Sequence, residues 1–412
     1  MFTSFSTALS ALAAHSTAID VVGNNLANLN TPGFKTSTVV FFDLVTQSLG
    51  AGLGETQVGF GVARPVTLRQ FSQGAISSST APLDAAIQGD GFLVVQDAAG
   101  ATLYARGGSL QVDRLGALLT ATGERVQGWF AGATGTVNTS GAIGDIVVPV
   151  GTLKAAVAST GFSFDMNLDA AAQVNGTFSA SIEVYDSLGV SHQVTVDFSK
   201  AAANQWDYSI SIPQADLQQS QTFQPVTGQL IFDDVGSLDM TQTQPPAAIS
   251  IQGLASGAAT LTLDWQLLNG TVPRLTQYAQ SCAISANAQD GSPAAQLTRV
   301  ALGDGGKILA QYSNGQQIVV GQLAMASIRN PGSLIAVGNN AFQLSARSAL
   351  PAIGVPGTGG RGLILGGAIE YSNVDIAREF TNLIVLQRGY QANARVVTTV
   401  DELSQDTINL KR

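Results

Sequence analysis

The chain has 412 residues, enough for two or three domains with cores of their own, and its apolar fraction of 45% is ordinary for a globular protein. Charged side chains make up only 11%, against about 25% in an average soluble chain, so much of the surface is expected to be covered by other protein. The net charge of −9 and five scattered lysines exclude a nucleic-acid surface, and the single cysteine, Cys282, excludes an intramolecular disulfide and reads as a small core hydrophobe.

The opening stretch, MFTSFSTALSALAAHSTAIDVVGNNLANLN, carries Phe5, Leu12, Ile19 and Leu26 seven apart, with Phe2 and Leu9 starting a companion row. This spacing predicts a helix with a coiled-coil-like seam, whose roughly 27 residues span about 40 Å. Its only side-chain charge is Asp20. A secretory signal begins with a basic segment, so no cleaved signal is expected. No apolar run reaches the ~18 residues of a membrane span, and no membrane insertion is expected. Asn24, Asn25, Asn28 and Asn30 can cap or bridge backbone, and Thr31-Pro32-Gly33 before Phe34 stops the helix, because Pro32 disfavours helix at Thr31 and Gly33 permits a turn.

Short alternating strands and many glycines follow. IEVYDSLGVSHQVTVDF reads as a hairpin with Val194, Val196 and Phe198 on one face. KILAQYSNGQQIVV reads as another, with a type I′ turn at Asn314-Gly315. Asp-x-x-Gly recurs at Asp113–Gly116, Asp186–Gly189 and Asp233–Gly236. These lack the dense carboxylates of a calcium loop and read as plain turns. PAIGVPGTGGRGLILGG, residues 351–367, is a Gly/Pro-rich connector; its Gly357-x-Gly359-x-x-Gly362 follows Pro356 and no strand, which argues against a dinucleotide site.

The C-terminal segment, from Tyr371 to Arg412, predicts a second helix of about 55 Å, with an S-x-x-D cap at Ser372 and Asp375 and with Lys411 and Arg412 at its negative end. Ile376, Phe380, Leu383, Tyr390, Ala394 and Val397 follow 4,3 spacing, and the stripe then drifts toward Val400, Leu403 and Leu410. Ordering the first helix costs about 1–2 kcal/mol per residue in backbone entropy. Burying its six seam residues returns about 1.5–3 kcal/mol apiece, so an isolated two-helix stalk is marginal. Both ends read as assembly elements.

The fold class is therefore α+β: mainly β domains, with long terminal helices forming a coiled-coil-like stalk. Residues 1–28 and 371–412 form the helical polymerisation domain and 29–71 an extended connector. Residues 72–149 and 290–370 form a proximal β domain, into which 150–289 inserts an outer β domain. No Walker A loop, G-x-S-x-G elbow or H-E-x-x-H occurs, and His15 and His192 cannot supply a multi-His zinc site. No enzyme, cofactor or metal is expected.

LANLNTPGFKTS (26–37) and SNVDIAREFTNLIVLQRGYQANARVVTTVDEL (372–403) resemble the terminal signatures of the flagellar rod and hook protein family. IQGDGFLVVQD (87–97), YARGGSLQVDRLGALLTATGERVQG (104–128) and GGAIEYSNVD (366–375) resemble it between the ends, with Leu93 and Leu110 where the family usually has aromatics. The block near 150–289 separates this chain from the shorter distal-rod members and places the resemblance on the hook side. The resemblance implies a structural subunit polymerising into a flexible hollow tube that passes torque from rod to filament. It implies, as partners, other copies of the chain, the distal rod, a hook cap, hook–filament junction proteins and the type III export apparatus, and an extracellular location. A distal-rod subunit, or a secreted β-rich glycan-binding protein or hydrolase, is the alternative. Asn28 to Phe34 would then be the place where the chain turns out of an inner helical tube.

Overall fold

The computed structural model describes residues 2–44, 46–49, 56–132, 135–243, 245–246 and 248–409. It contains two compact units, one formed by Met1–Val150, Arg299–Gln311 and Gln317–Arg412, the other by Gly151–Thr298 and Tyr312–Gln316. The second unit runs past the expected boundary at 289, because Leu153–Lys154 pairs antiparallel with Ala295–Gln296 and Val157 bridges Ser292.

The first unit holds both helices, α1 (Phe2–Ala27) and α2 (Ile376–Asn409). By length and composition Thr3–Ala27 is apolar enough to cross a membrane, which corrects the expectation that no segment reaches that limit. Its apolar residues are interrupted by hydroxyls, at Ser6, Thr7, Ser10, Ser16 and Thr17 among others. Those hydroxyls fold back on the helix: Ser6 and Thr7 donate to the Thr3 carbonyl and Thr17 to that of Ala13. The segment expected as an extended connector carries antiparallel pairing, Ser37–Val40 against Val66–Arg69. The second helix begins at Ile376, where the apolar stripe also starts, and not at 371, and its cap is Asp375, whose Oδ1 accepts the amides of Ala377 and Arg378. Ser372 caps only the local turn, accepting from the Val374 amide. Leu410, Lys411 and Arg412 lie outside the described residues.

The rest of this unit is β. Phe92–Gln96 pairs with Thr102–Ala105, Arg125–Phe130 and Met325–Ser327, and Asp84–Gln88 pairs with Leu363–Gly366 and Gly108–Val112. Its aromatic core packs Phe92, Tyr104, Trp129 and Phe342, with Phe71 edge-on to Phe92 and Phe342. Leu93 and Leu110 are both buried.

The second unit packs two sheets on one core. Thr177–Tyr185, Ser191–Ala202, Gln205–Ser211 and Val226–Ile231 form an antiparallel meander. Gly161–Asp169 runs parallel to Leu261–Trp265 and Leu275–Tyr278 and antiparallel to Ala283–Gln289. Val194, Val196 and Phe198 alternate inward, as a period of two requires. Cys282 packs against the core, its Sγ accepting the Asp169 amide at 3.2 Å. The turn after Tyr312 is not type I′: Gly315 has φ +80° but Asn314 is not in the left-handed region, and the Gly315 amide donates to the Tyr312 carbonyl. A type I turn with a glycine bulge results. In each Asp-x-x-Gly turn the aspartate Oδ1 accepts two amides, as at Leu188 and Val190 for Asp186. Asp97–Gly100, in the first unit, is a fourth example that the sequence reading passed over.

Candidate polymerisation faces and the junction at their base

α1 and α2 run antiparallel, with Asn25 opposite Glu379 and His15 opposite Gly389. A Cβ at position 389 would lie 2.7 Å from the His15 ring, so glycine sets how closely the helices approach. These contacts share one register, in which position 2 falls opposite 402 and Leu403–Asn409 runs past the end of α1.

The face of α1 buried inside the unit is small: Ala8, Ala14, Ala18, Val22 and Asn25. The large residues read as a seam point elsewhere. Phe5 and Leu9 are exposed, and Leu12, Ile19 and Leu26 are half-buried. On α2, Ile376, Phe380 and Tyr390 are exposed, and Leu383, Ala394 and Val397 are half-buried. The side chain of Phe2 lies outside the described residues. Phe41, Phe42, Phe60 and Leu68 of the 37–69 segment are exposed as well. One copy thus satisfies its alanines and leaves its largest apolar side chains in water, the pattern of a surface made for a partner.

Below the helices the chain is held by buried polar contacts. Asn25, fully buried, donates Nδ2 to the Ser37 carbonyl at 2.8 Å and accepts the Ser37 amide at 3.0 Å. Asn28 donates to the Asn24 carbonyl and accepts the Thr31 hydroxyl. Asn30 is exposed. The Pro32 carbonyl accepts Asn340 Nδ2, and Phe34 is buried. Gly33 has φ +71°, donates its amide to the Glu370 carbonyl, and lies where a Cβ would be 2.6 Å from the Arg106 carbonyl oxygen. Asn373 accepts the Thr36 amide and donates to the Gln70 and Ser72 carbonyls.

At the centre is a buried ion triad. Glu370 accepts Lys35 Nζ at 2.7 Å, Arg106 Nε at 3.2 Å and the Gly74 amide at 2.8 Å. Lys35 also donates to the Ser72 carbonyl, and Arg106 to those of Gly89 and Gly91. Burial pushes the Lys35 ammonium below the usual lysine range; the hydrogen bond and charge of Glu370 oppose this, and Arg106 adds to it. Three charges hidden in so weakly charged a chain fix where the turn after α1 meets the strand before α2. Sequence reading missed Arg106, Glu370 and Asn25 as a set because their proximity is spatial. The available signal was that Lys35 and Glu370 sit inside quoted motifs without a local partner.

Four family models match. Flagella basal body rod protein covers residues 5–35, and Flagellar hook protein FlgE/F/G D1 domain covers 86–162. Flagellar basal body protein FlaE D2 domain covers 152–292, and Flagellar basal body rod FlgEFG protein C-terminal covers 365–410. Exposed terminal helices on β units, matched in this order, define the class: an axial structural protein of the flagellum. The flagellar hook protein FlgE of Treponema pallidum is 31% identical over 464 residues, spanning 100% of both chains. Those of Salmonella typhimurium and Escherichia coli are 31% and 30% identical, each spanning 99% of this chain and 100% of its own. A crystal structure of Helicobacter pylori flagellar hook protein FlgE2 shares the fold, with a TM-score of 0.54 at 13% identity over 70% of this chain and 99% of that one. The chain belongs to the flagellar hook protein family.

Proposed function

We propose that copies of this chain pack the outward faces of α1 and α2 into a hollow helical tube, the hook, which bends while carrying torque from rod to filament. The observation that supports this reading is the exposure of large apolar side chains on both helices, while α1 buries only a narrow face of small residues and α2 buries Glu379 alone among its described residues. Marginal ends suit a chain that is exported unfolded, without a cleaved signal, through the type III apparatus and ordered outside the cell on arrival. Its partners are other copies, the distal rod, the hook cap and the junction proteins, and its role is structural, not catalytic. Residues 1–28 with 371–412 act as the polymerising segment, Asn28 to Phe34 as the turn-out, and the β units as the bearing surfaces that slide during bending.

Electron microscopy of the purified full-length chain tests this directly. Tubes are expected at high concentration. Leu9→Glu and Phe380→Glu, which alter exposed positions, should leave the β units folded by circular dichroism and abolish the tubes. A full-length chain that stays a compact monomer with both ends rigid would refute the reading.

A further inference from the structure

We propose that Asn269–Gly270, at a hairpin tip of the second unit, is a site of spontaneous deamidation, where the folded chain gains a carboxylate with time. The chain is its own substrate, and water is the only co-reactant. The Gly270 backbone nitrogen attacks the Asn269 side-chain carbonyl carbon, Cγ, and a cyclic imide forms as the Cγ–Nδ2 bond breaks. The nitrogen leaves as ammonia, taking the proton that Gly270 gives up. Water then adds to either imide carbonyl, and the ring C–N bond there breaks. The products are aspartate, or its isomer linked through the side chain.

Three Asn-Gly pairs occur in the chain, at 175–176, 269–270 and 314–315. In all three the glycine leaves the approach to Cγ open, since it has no side chain. What separates them is the attacking amide. The Gly176 amide donates to the Gln173 carbonyl at 2.9 Å, and the Gly315 amide to the Tyr312 carbonyl at 3.0 Å. Asn314 is further held through its Oδ1, which accepts the Gln316 amide. The Gly270 amide has no partner among the described residues, and neither has the Asn269 side chain.

The surroundings add mobility to that free amide. Leu268–Asn269 and Val272–Pro273 form a two-stranded sheet of their own, with Leu268 opposite Pro273 and Asn269 opposite Val272. An isolated pair of strands is marginal in water, and local opening there takes little free energy. Asn269, Gly270 and Thr271 are exposed, so water for hydrolysis is at hand. Gly270 has φ +64° and open space where a Cβ would stand. Asn175, by contrast, is held at φ +68° with its own amide bonded to the Lys200 carbonyl. The base of the hairpin stays fixed. Leu267 is buried, its carbonyl accepts the Arg274 amide at 2.9 Å, and Arg274 Nε donates to the Leu268 carbonyl at 3.3 Å. The reaction is thus confined to the tip, and the core beneath it is untouched.

The test is peptide mapping by mass spectrometry of the folded full-length chain, sampled over days in warm, mildly alkaline buffer. The product shows the mass of one ammonia lost and one water gained. Fragmentation at the extra backbone methylene marks the side-chain-linked isomer. Conversion at Asn269 should run about fivefold or more ahead of Asn175 and Asn314, where the glycine must first give up an amide hydrogen bond. In denaturant the three pairs should react at similar rates, because the fold that distinguishes them is gone. Folded Asn269 reacting no faster than Asn175 and Asn314 overturns the proposal. So does an equal lead for Asn269 in denaturant, which would trace it to flanking sequence and not to the fold. No tube need form for this reaction, so either result leaves the reading of the helices standing.

Discussion

Replacing Glu370 with Gln keeps the shape of the junction and removes the one anion between Lys35 and Arg106. Lys35 and Glu370 are 0% and 1% exposed at the side chain and Arg106 is 2% exposed, so water cannot replace the lost charge. Breaking a buried ion pair from one side costs about 3–5 kcal/mol, and the Gly74 amide keeps an acceptor in the new amide oxygen. A loss of that size opens the junction a hundredfold or more as often, since about 1.4 kcal/mol is tenfold. Hydrogen exchange at the Gly33 amide, bonded to the Glu370 carbonyl, should report it. The pH dependence carries a second signature. Lys35 already sits below the usual lysine range through burial, and the variant loses the Glu370 contributions that hold it up. Between that lowered value and the ordinary one the unfolded chain binds more protons than the folded chain, so stability rises with pH there. The gap between variant and wild-type melting temperatures should therefore narrow toward pH ~10, where lysine ordinarily titrates. Protection at Gly33 within a few-fold of wild type would refute the account of the triad as the junction's fastener. So would a gap that stays constant with pH.

Gly389→Ala should force α1 and α2 apart at His15, costing about 1–3 kcal/mol as overpacking does, and His15→Ala should restore helix melting. Asp186 is held below the usual carboxylate range: burial works to raise it, but hydrogen bonds from Ser256, His192 and the Val190 and Leu188 amides outweigh that. Its contribution to the second unit is present above about pH 4 and is lost as pH falls through the lowered folded value. Asp186→Asn should therefore flatten the acid limb of a denaturation curve. Bending stiffness of the tubes should change with salt, and Asp→Asn changes that neutralise half the acids of residues 151–298 should weaken that dependence.

The helices were legible because apolar spacing is a local property, and the turns because an aspartate caps its own loop. What the spacing could not show was which face a single copy buries. Alanine contributes little to an apolar stripe, so Ala8, Ala14 and Ala18 were passed over in favour of Phe5 and Leu9, which the fold leaves outside. Asn314-Gly315 was misread because the pair permits two turns and the flanking pairing chooses between them. The Ser372 cap yielded to Asp375 because helix geometry holds only from Ile376 onward. The triad lay beyond reach: Lys35, Arg106 and Glu370 are distant in sequence, and only the fold brings them together.

Low average charge conceals an uneven distribution. Residues 151–298 contain twelve carboxylates and three cations, while the remainder of the chain is balanced at sixteen of each, so the whole net charge of −9 belongs to the second unit. Its three cations are occupied. Lys154 bonds Gln316 and lies over Tyr312, Lys200 is buried against the Ala170 carbonyl and over Trp206, and Arg274 pairs with Asp165 at 2.8 Å. A surface with one sign cannot form ion pairs with a copy of itself. Neighbouring second units in a tube would then meet through neutral side chains under mild repulsion, with no salt bridge favouring one sliding position over the next. The helices show the opposite arrangement, both signs and large apolar residues exposed together. Cohesion at the termini and slip in the inserted unit would then be separate properties of separate stretches of sequence, and a bending joint needs both.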